Sequence, residues 1–181
     1  MAVAEASFNT SIDAISLALI SFKDGKLVTK NIIFYDGDYN FESLLSKREG
    51  IGCVVLSDSL SFGFTENFAN GNTDGDAYTI EIEYFDEGNG FFRPYYDCMD
   101  YGKGFQGQNR YVNYVDDTTY LKDTKTWKTR KIELYNAYFG KRIYNIGKYD
   151  LMINVKDWHG LGSYYSVGNV PISEIRITKH P

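Results

Sequence analysis

The stretch AYTIEIEYFDEGNGFFRPYY, Ala77 to Tyr96, decides how the chain is read. Thr79, Glu81, Glu83 and Phe85 fall on one face of a period-two strand and Ile80, Ile82 and Tyr84 on the other, the alternation of an antiparallel strand half in a core and half in water. Asp86 to Gly90 (DEGNG) supplies residues that tolerate positive φ or bond their own backbone. A hairpin is therefore expected, with Phe91 to Tyr96 returning along the same sheet. Pro94 has no N–H to give a ladder, which puts the return strand at an edge or gives it a bulge.

The composition around this stretch favours strands as well. In 181 residues, 17% are aromatic, with 16 Tyr and 12 Phe against 3 Pro, and aromatic side chains fit a pleated, half-buried surface. The length and the 43% hydrophobic content suit a single domain, residues 1–181, around one core. A net charge of −5 leaves no basic stripe to neutralise phosphates. Nucleic acid and anionic membranes are thus poor partners, and a neutral ligand fits better. Met1 is followed by AVAEASF, without the basic and apolar segments of a signal peptide, and no run is long enough to span a bilayer. A domain cut from a longer secreted chain, its signal elsewhere, is compatible with this. Cys53 and Cys98 lack CxxC spacing, so two buried free thiols are expected, with one disulfide between them as the alternative.

Along the chain, Ala14 to Phe22 alternates weakly, and Lys23-Asp24-Gly25-Lys26 is an Asp-Gly hairpin turn before Leu27 to Tyr35. Phe41 to Arg48 (FESLLSKR) carries Leu44, Leu45 and Arg48 at helical offsets and predicts a turn or two of helix. Gly50 to Leu56 and Leu60 to Phe68 return to strand, Leu60, Phe62 and Phe64 alternating with Ser61, Gly63 and Thr65. Asn70 to Asp76 is a loop, and Asp97 to Asn113 a long connection of the kind that is often functional. Val115 to Tyr120 and Trp127 to Leu134 read as strands joined by a polar turn at Lys122 to Thr126. Ile132 and Leu134 share a face with Arg130, so either a bulge intervenes or Trp127 caps the other face. Asp150 to Lys156 is a strand with Leu151, Ile153 and Val155 inward and Met152, Asn154 and Lys156 outward. Asp157 to Gly168 is an aromatic, Gly-rich loop, and Glu174 to Lys179 the last strand. Many short strands with turn signals between them give an all-β protein, a two-sheet antiparallel β-sandwich of jelly-roll type.

The segments LSFGFTENF (Leu60 to Phe68), Ala77 to Asp97, TWKTRKIELYNAYF (Thr126 to Phe139), YDLMINV (Tyr149 to Val155) and ISEIRITK (Ile172 to Lys179) resemble, in content and order, the β-sandwich carbohydrate-binding modules and galactose-binding-like domains of secreted bacterial glycan-degrading proteins. The resemblance implies extracellular or cell-surface binding of a polysaccharide or oligosaccharide without catalysis, the β-glucan or hemicellulose class included. It also implies a catalytic domain linked to the same chain. The residues can supply such chemistry, since pyranose C–H faces stack on flat rings while Asn, Asp and Arg bond hydroxyls. By strand parity Trp158 points outward at the end of the Leu151 to Val155 strand. It is the expected stacking platform, flanked by one of Tyr164 and Tyr165 and by Tyr101 or Phe105, with Arg93, Asn154 and Asp157 as hydrogen-bonding groups and His159 supporting the loop. For any single aromatic, packing between the sheets is the competing explanation.

Asn72, Asp74 and Asp76 have the alternate-oxygen spacing of a calcium loop, which Glu66 could complete, and modules of this resemblance often hold a structural Ca2+. A solvated turn explains the same residues equally well. Two other functions compete. A jelly-roll glycoside hydrolase would use Glu81 and Glu83, in a stretch that only faintly resembles the Glu-x-Asp-x-x-Glu pattern, although the alternation favours a solvated strand face. A structural or protein-interaction sandwich would use the same aromatics against another domain.

Overall fold

The computed structural model describes residues 16–35, 40–69, 71, 77–98, 112–114, 118–134, 136–141, 143, 148–159, 163–166 and 168–180, with 112–114, 156–159 and 163–166 described by their backbone. The strands are β1 (Leu17–Ser21), β2 (Val28–Lys30), β3 (Ile32–Ile33), β4 (Leu45–Arg48), β5 (Ile51–Leu56), β6 (Leu60–Phe64), β7 (Ala77–Phe85), β8 (Phe91–Asp97), β9 (Val112–Tyr114), β10 (Thr119–Tyr120), β11 (Trp127–Leu134), β12 (Leu151–Asn154), β13 (Lys156–His159), β14 (Ser163–Ser166) and β15 (Val170–His180), with one helical turn, α1 (Phe41–Leu44), before β4. The first sheet runs β11-β7-β15-β1-β2, with β5 on the start of β15 and β4 on β5, and the second runs β10-β8-β12-β6-β3, with β9 on β8. Every pairing is antiparallel, and β13 and β14 form a separate two-stranded ribbon. This is the expected two-sheet sandwich of jelly-roll type.

The expected alternation holds at the middle of β7, where Glu81 and Glu83 are partly exposed, but Thr79 and Phe85, expected on the water face, are buried. Ile80, Ile82 and Tyr84 face the core, as do Ile175 and Ile177 of β15 and Ile132 and Leu134 of β11. From the second sheet come Leu60, Phe62 and Phe64, Phe92 and Tyr96, and Leu151 and Ile153, with Val155 beyond them. Tyr84 and Phe92 meet across the sandwich at 4.9 Å between ring centroids. Ordinary apolar burial, about 25 cal/mol per Å2, drives the two sheets together.

Several expectations are corrected. β7 and β8 are not a hairpin, because Asp86 to Gly90 carries the chain from the first sheet to the second. The cause is local: the Asp86 N–H donates to Thr126 O (2.9 Å), and Leu121 N–H to Gly90 O (2.8 Å). This crossing is therefore latched to the connection between β10 and β11, which also changes sheets. The Leu27 to Tyr35 strand is divided at Asn31, held at φ +56, so that β2 stays with β1 while β3 joins β6. Asn31 Nδ2 donates to Leu17 O at 2.8 Å and fixes that corner. The helix is one turn, and Leu45–Arg48 is strand: Glu49 and Gly50, at φ +50 and +82, make a two-residue turn that pairs β4 with β5. Val112 and Asn113, assigned to a connection, pair with Asp97 and Tyr96 of β8. The last strand begins at Val170.

Pro94 lies at neither edge. β12 pairs with β8 on one side, and on the other the register slips by two residues between the Tyr95↔Tyr114 and Phe92↔Thr119 pairs. That two-residue slip is the irregularity expected beside a proline, which has no hydrogen to give a ladder. For Trp127 the unbulged alternative holds, since β11 and β7 pair without a shift from Trp127↔Phe85 to Leu134↔Tyr78. Its ring packs on Phe85 at 5.3 Å, and Nε1 donates to Arg48 O at 3.3 Å. Both cysteines are buried thiols outside any disulfide, as expected.

Candidate functional site

The outer face of the second sheet is built by the residues whose parity opposes the core. On β8 these are Phe91, Arg93 and Tyr95. The Arg93 guanidinium lies 5.3 Å from the Phe91 ring centroid and 5.5 Å from that of Tyr95, so two flanking rings hold the cation in the face of the sheet. Across the ladder Asn154 is the register partner of Arg93, and Met152 that of Tyr95. Ser59 Oγ donates to Asn154 Oδ1 at 2.8 Å, which fixes the amide's orientation. Tyr95, Met152 and Ile143, with Tyr149 against them, form a small apolar cluster apart from the main core. Met152 is consequently buried, and Asn154 is buried as well, although their parity is outward as expected. At the strand's other end Tyr120, opposite Phe91, presents its ring 6.0 Å from the Phe91 ring and is 65% exposed.

β12 leads through buried Val155 into β13, and the expected loop at Asp157 to Gly168 is a ribbon instead. Its sequence explains this, since Trp158, Tyr164 and Tyr165 are strand formers on either side of a Gly-Leu-Gly segment. Trp158 is the register partner of Tyr164, and Asp157 of Tyr165. The fold thus brings Arg93 and Asn154 face to face, and sets Trp158, Tyr164, Tyr165 and Asp157 on one ribbon that follows directly from Asn154. Tyr101 and Phe105 lie outside the described residues. So do Asn72, Asp74 and Asp76, whereas Glu66 is an exposed residue of the turn after β6. Among the described residues no group of three or more His, Cys, Asp or Glu is placed to hold a metal ion. Tyr120 was missed as a candidate, though its signal lay in the sequence: an aromatic closing a short strand beside a polar turn.

Glu81 and Glu83 lie on the outer face of the first sheet. Glu83 receives Lys23 Nζ at 2.9 Å and a hydrogen bond from Ser173 Oγ at 2.5 Å. Partial burial pushes its carboxyl up, but the Ser173 hydroxyl and the Lys23 ammonium outweigh this and hold it below the ordinary range. Glu81 stands 3.7 Å from Arg176, and Glu174 is paired with both Lys23 and Arg176. Between them lies a notch of about 150 Å3 lined with paired charges.

Compared with known proteins, the sequence matches no protein-family model and no curated protein.

Proposed function

We propose that this chain binds a polysaccharide or oligosaccharide without cleaving it, on the outer face of the second sheet and the ribbon that continues from it. The observation that carries the proposal is the row Tyr120, Phe91, Arg93, Tyr95 with Asn154 opposite Arg93: an exposed ring beside an immobilised hydrogen-bond donor and a buried amide. Stacking surface next to fixed polar groups is what a polyhydroxylated ring requires. Holding Arg93 between two rings removes rotamer freedom before the ligand arrives, which lowers the cost of binding. In this reading Trp158 extends the platform along the ribbon, and the binding domain directs a linked catalytic domain to an extracellular substrate.

The non-catalytic reading is supported over hydrolysis by Glu83. A glycosidase needs two carboxylates that face the substrate, whereas Glu83 is engaged by Lys23 and Ser173, and Glu81 stands beside Arg176. The calcium reading rests on the sequence spacing at Asn72, Asp74 and Asp76; a melting temperature unchanged by chelation would remove it.

Affinity electrophoresis on soluble β-glucans and xylans tests the main proposal. Retardation is expected, and it should fall at least tenfold in affinity for Tyr120→Ala and for Trp158→Ala, because an aromatic anchor contributes about 2 kcal/mol or more. Melting temperature should barely change for Tyr120→Ala, whose ring is mostly in water. Absence of retardation across the panel would overturn glycan binding in favour of a protein-interaction role.

A further inference from the structure

The crossing segment DEGNG, Asp86 to Gly90, contains the pair Asn89-Gly90, and the chain has a second such pair at Asn70-Gly71. Asparagine before glycine is chemically labile, because the glycine has no side chain to keep its backbone nitrogen away from the asparagine side-chain carbonyl carbon. What a fold does to the pair depends on whether that nitrogen is engaged. In Asn70-Gly71 it is, since Gly71 N–H donates to Phe139 O at 3.0 Å. In the Asp24-Gly25 turn, open to a related cyclisation, Gly25 N–H donates to Phe22 O at 2.8 Å. Asn89 is different. It is exposed, and neither its side chain nor Gly90 N–H makes a hydrogen bond among the described residues. Gly168 packs against Gly90, and a Cβ at 168 would stand 3.3 Å from the Gly90 nitrogen and 3.9 Å from Asn89 Oδ1. Both reacting groups therefore border one space, which glycine at 168 leaves empty.

We propose that Asn89 is a modification site, converting by spontaneous deamidation to isoaspartate in the folded protein. The Gly90 amide gives its proton to hydroxide, and its nitrogen forms a bond to Asn89 Cγ. The Cγ–Nδ2 bond breaks, and Nδ2 leaves as ammonia with a proton taken from water. The product is a succinimide ring. Water then adds to one of the two ring carbonyl carbons and breaks that carbon's bond to the Gly90 nitrogen. Addition at Cγ gives aspartate; addition at the main-chain carbonyl carbon gives isoaspartate, in which the chain runs through Cβ and Cγ. Water enters, ammonia leaves, and nothing is oxidised or reduced. The connection is fastened on both sides of the reacting bond, Gly88 N–H donating to Asp123 Oδ1 at 2.7 Å and Gly90 O accepting Leu121 N–H at 2.8 Å. Isoaspartate inserts one more backbone carbon between these fastenings. It also adds a negative charge to a connection that already carries Asp86 and Glu87 and is bonded to Asp123. The latch between the two sheets loosens as a result.

Ageing the intact protein in mildly alkaline buffer, followed by peptide mapping with electron-transfer fragmentation to separate isoaspartate from aspartate, tests the proposal. Asn89 is expected to convert faster than Asn70, by roughly fivefold where the Gly71 nitrogen must first release a hydrogen bond of ordinary strength. The rate should rise with pH, because the Gly90 nitrogen attacks only after losing its proton. In urea, where the Gly71 hydrogen bond is gone, the two asparagines should convert at similar rates. Asn89→Gln, at an exposed position, keeps the amide but must close a larger ring, and it should stay unconverted over the same period. The urea midpoint of the aged parent should fall below that of fresh protein, while aged Asn89→Gln keeps the midpoint of its own fresh sample. The proposal is overturned if Asn89 keeps its amide, if Asn70 converts as fast in the folded protein, or if conversion at Asn89 leaves the midpoint unchanged.

Discussion

Asp86 shows how much one residue can decide. In the sequence it is the first residue of a turn; in the structure it is 1% exposed and organises two connections at once. Its Oδ1 accepts the Lys122 N–H at 2.6 Å, and its Oδ2 accepts the Thr124 hydroxyl and the Lys128 ammonium, both at 2.6 Å. Burial alone would push this carboxyl up, but the Lys128, Thr124 and Lys122 hydrogen bonds outweigh burial and hold it well below the usual carboxylate range. Asp86→Asn keeps the shape, loses the charge, and leaves Lys128 facing an amide. Breaking a buried pair on one side costs about 3 kcal/mol, so the urea midpoint should fall with little change in slope. A variant as stable as the parent would mean that the latch is ornamental. Hydrophobic alternation finds core residues and is silent about such a carboxylate, because its partners come from about 40 residues downstream.

At the scale of elements, existence was legible and partnership was not. Period-two patterning located β1, β6, β7, β12 and β15, and strand-like composition located β5 and β11. Yet the same turn residues serve hairpins and crossings, so DEGNG looked like a hairpin while the true hairpin at Glu49-Gly50 looked like the end of a helix. FESLLSKR misled because its leucines satisfy either period over so few residues. The β4–β5 turn holds Glu49 at φ +50, a conformation that asparagine tolerates better. Glu49→Asn should raise stability by about 0.5 to 1 kcal/mol, visible as a higher melting temperature; a decrease would show that the glutamate side chain matters more than the turn. Gly52, three residues on, has the opposite sensitivity. A Cβ there would overlap the Phe22 carbonyl oxygen and stand 2.6 Å from the Gly25 nitrogen, where β5 passes beneath the β1–β2 turn. Gly52→Ala is expected to destabilise by about 2 kcal/mol or more. An unchanged urea midpoint would refute that close approach.

For the whole molecule, the sandwich followed from short alternating strands, whereas the candidate site did not, since it depends on which strands of the second sheet lie side by side. Arg93 and Asn154 were both named from composition and loop position; their pairing comes from the β8–β12 register. The balance of buried acids across the two ends of the sandwich is a property of the same scale. Asp150, fully buried, accepts Phe64 N–H and Lys141 N–H, both at 2.7 Å, while Asp97 accepts Gly140 N–H at 2.8 Å. Together they hold the segment that puts Phe139 between Phe64 and Tyr78. Burial, with a smaller contribution from the Asp97 charge, pushes the Asp150 carboxyl from 3.8 up to about 6 despite its two backbone donors. Between those values the folded protein binds a proton that the unfolded chain does not, so stability from this group is greatest below 3.8 and falls by about 3 kcal/mol as pH rises past 6. Asp86, Glu83 and Glu87 are shifted down and act in the reverse sense: their contribution is complete above the ordinary carboxylate range and is lost as pH falls through it. The opposed slopes place maximum stability below the Asp150 value of about 6, toward the ordinary carboxylate range. Urea unfolding from pH 3 to 8 should therefore trace a dome that declines toward neutrality, and a free energy still rising from pH 5 to 7 would show that Asp150 is ionised in the folded protein at no cost.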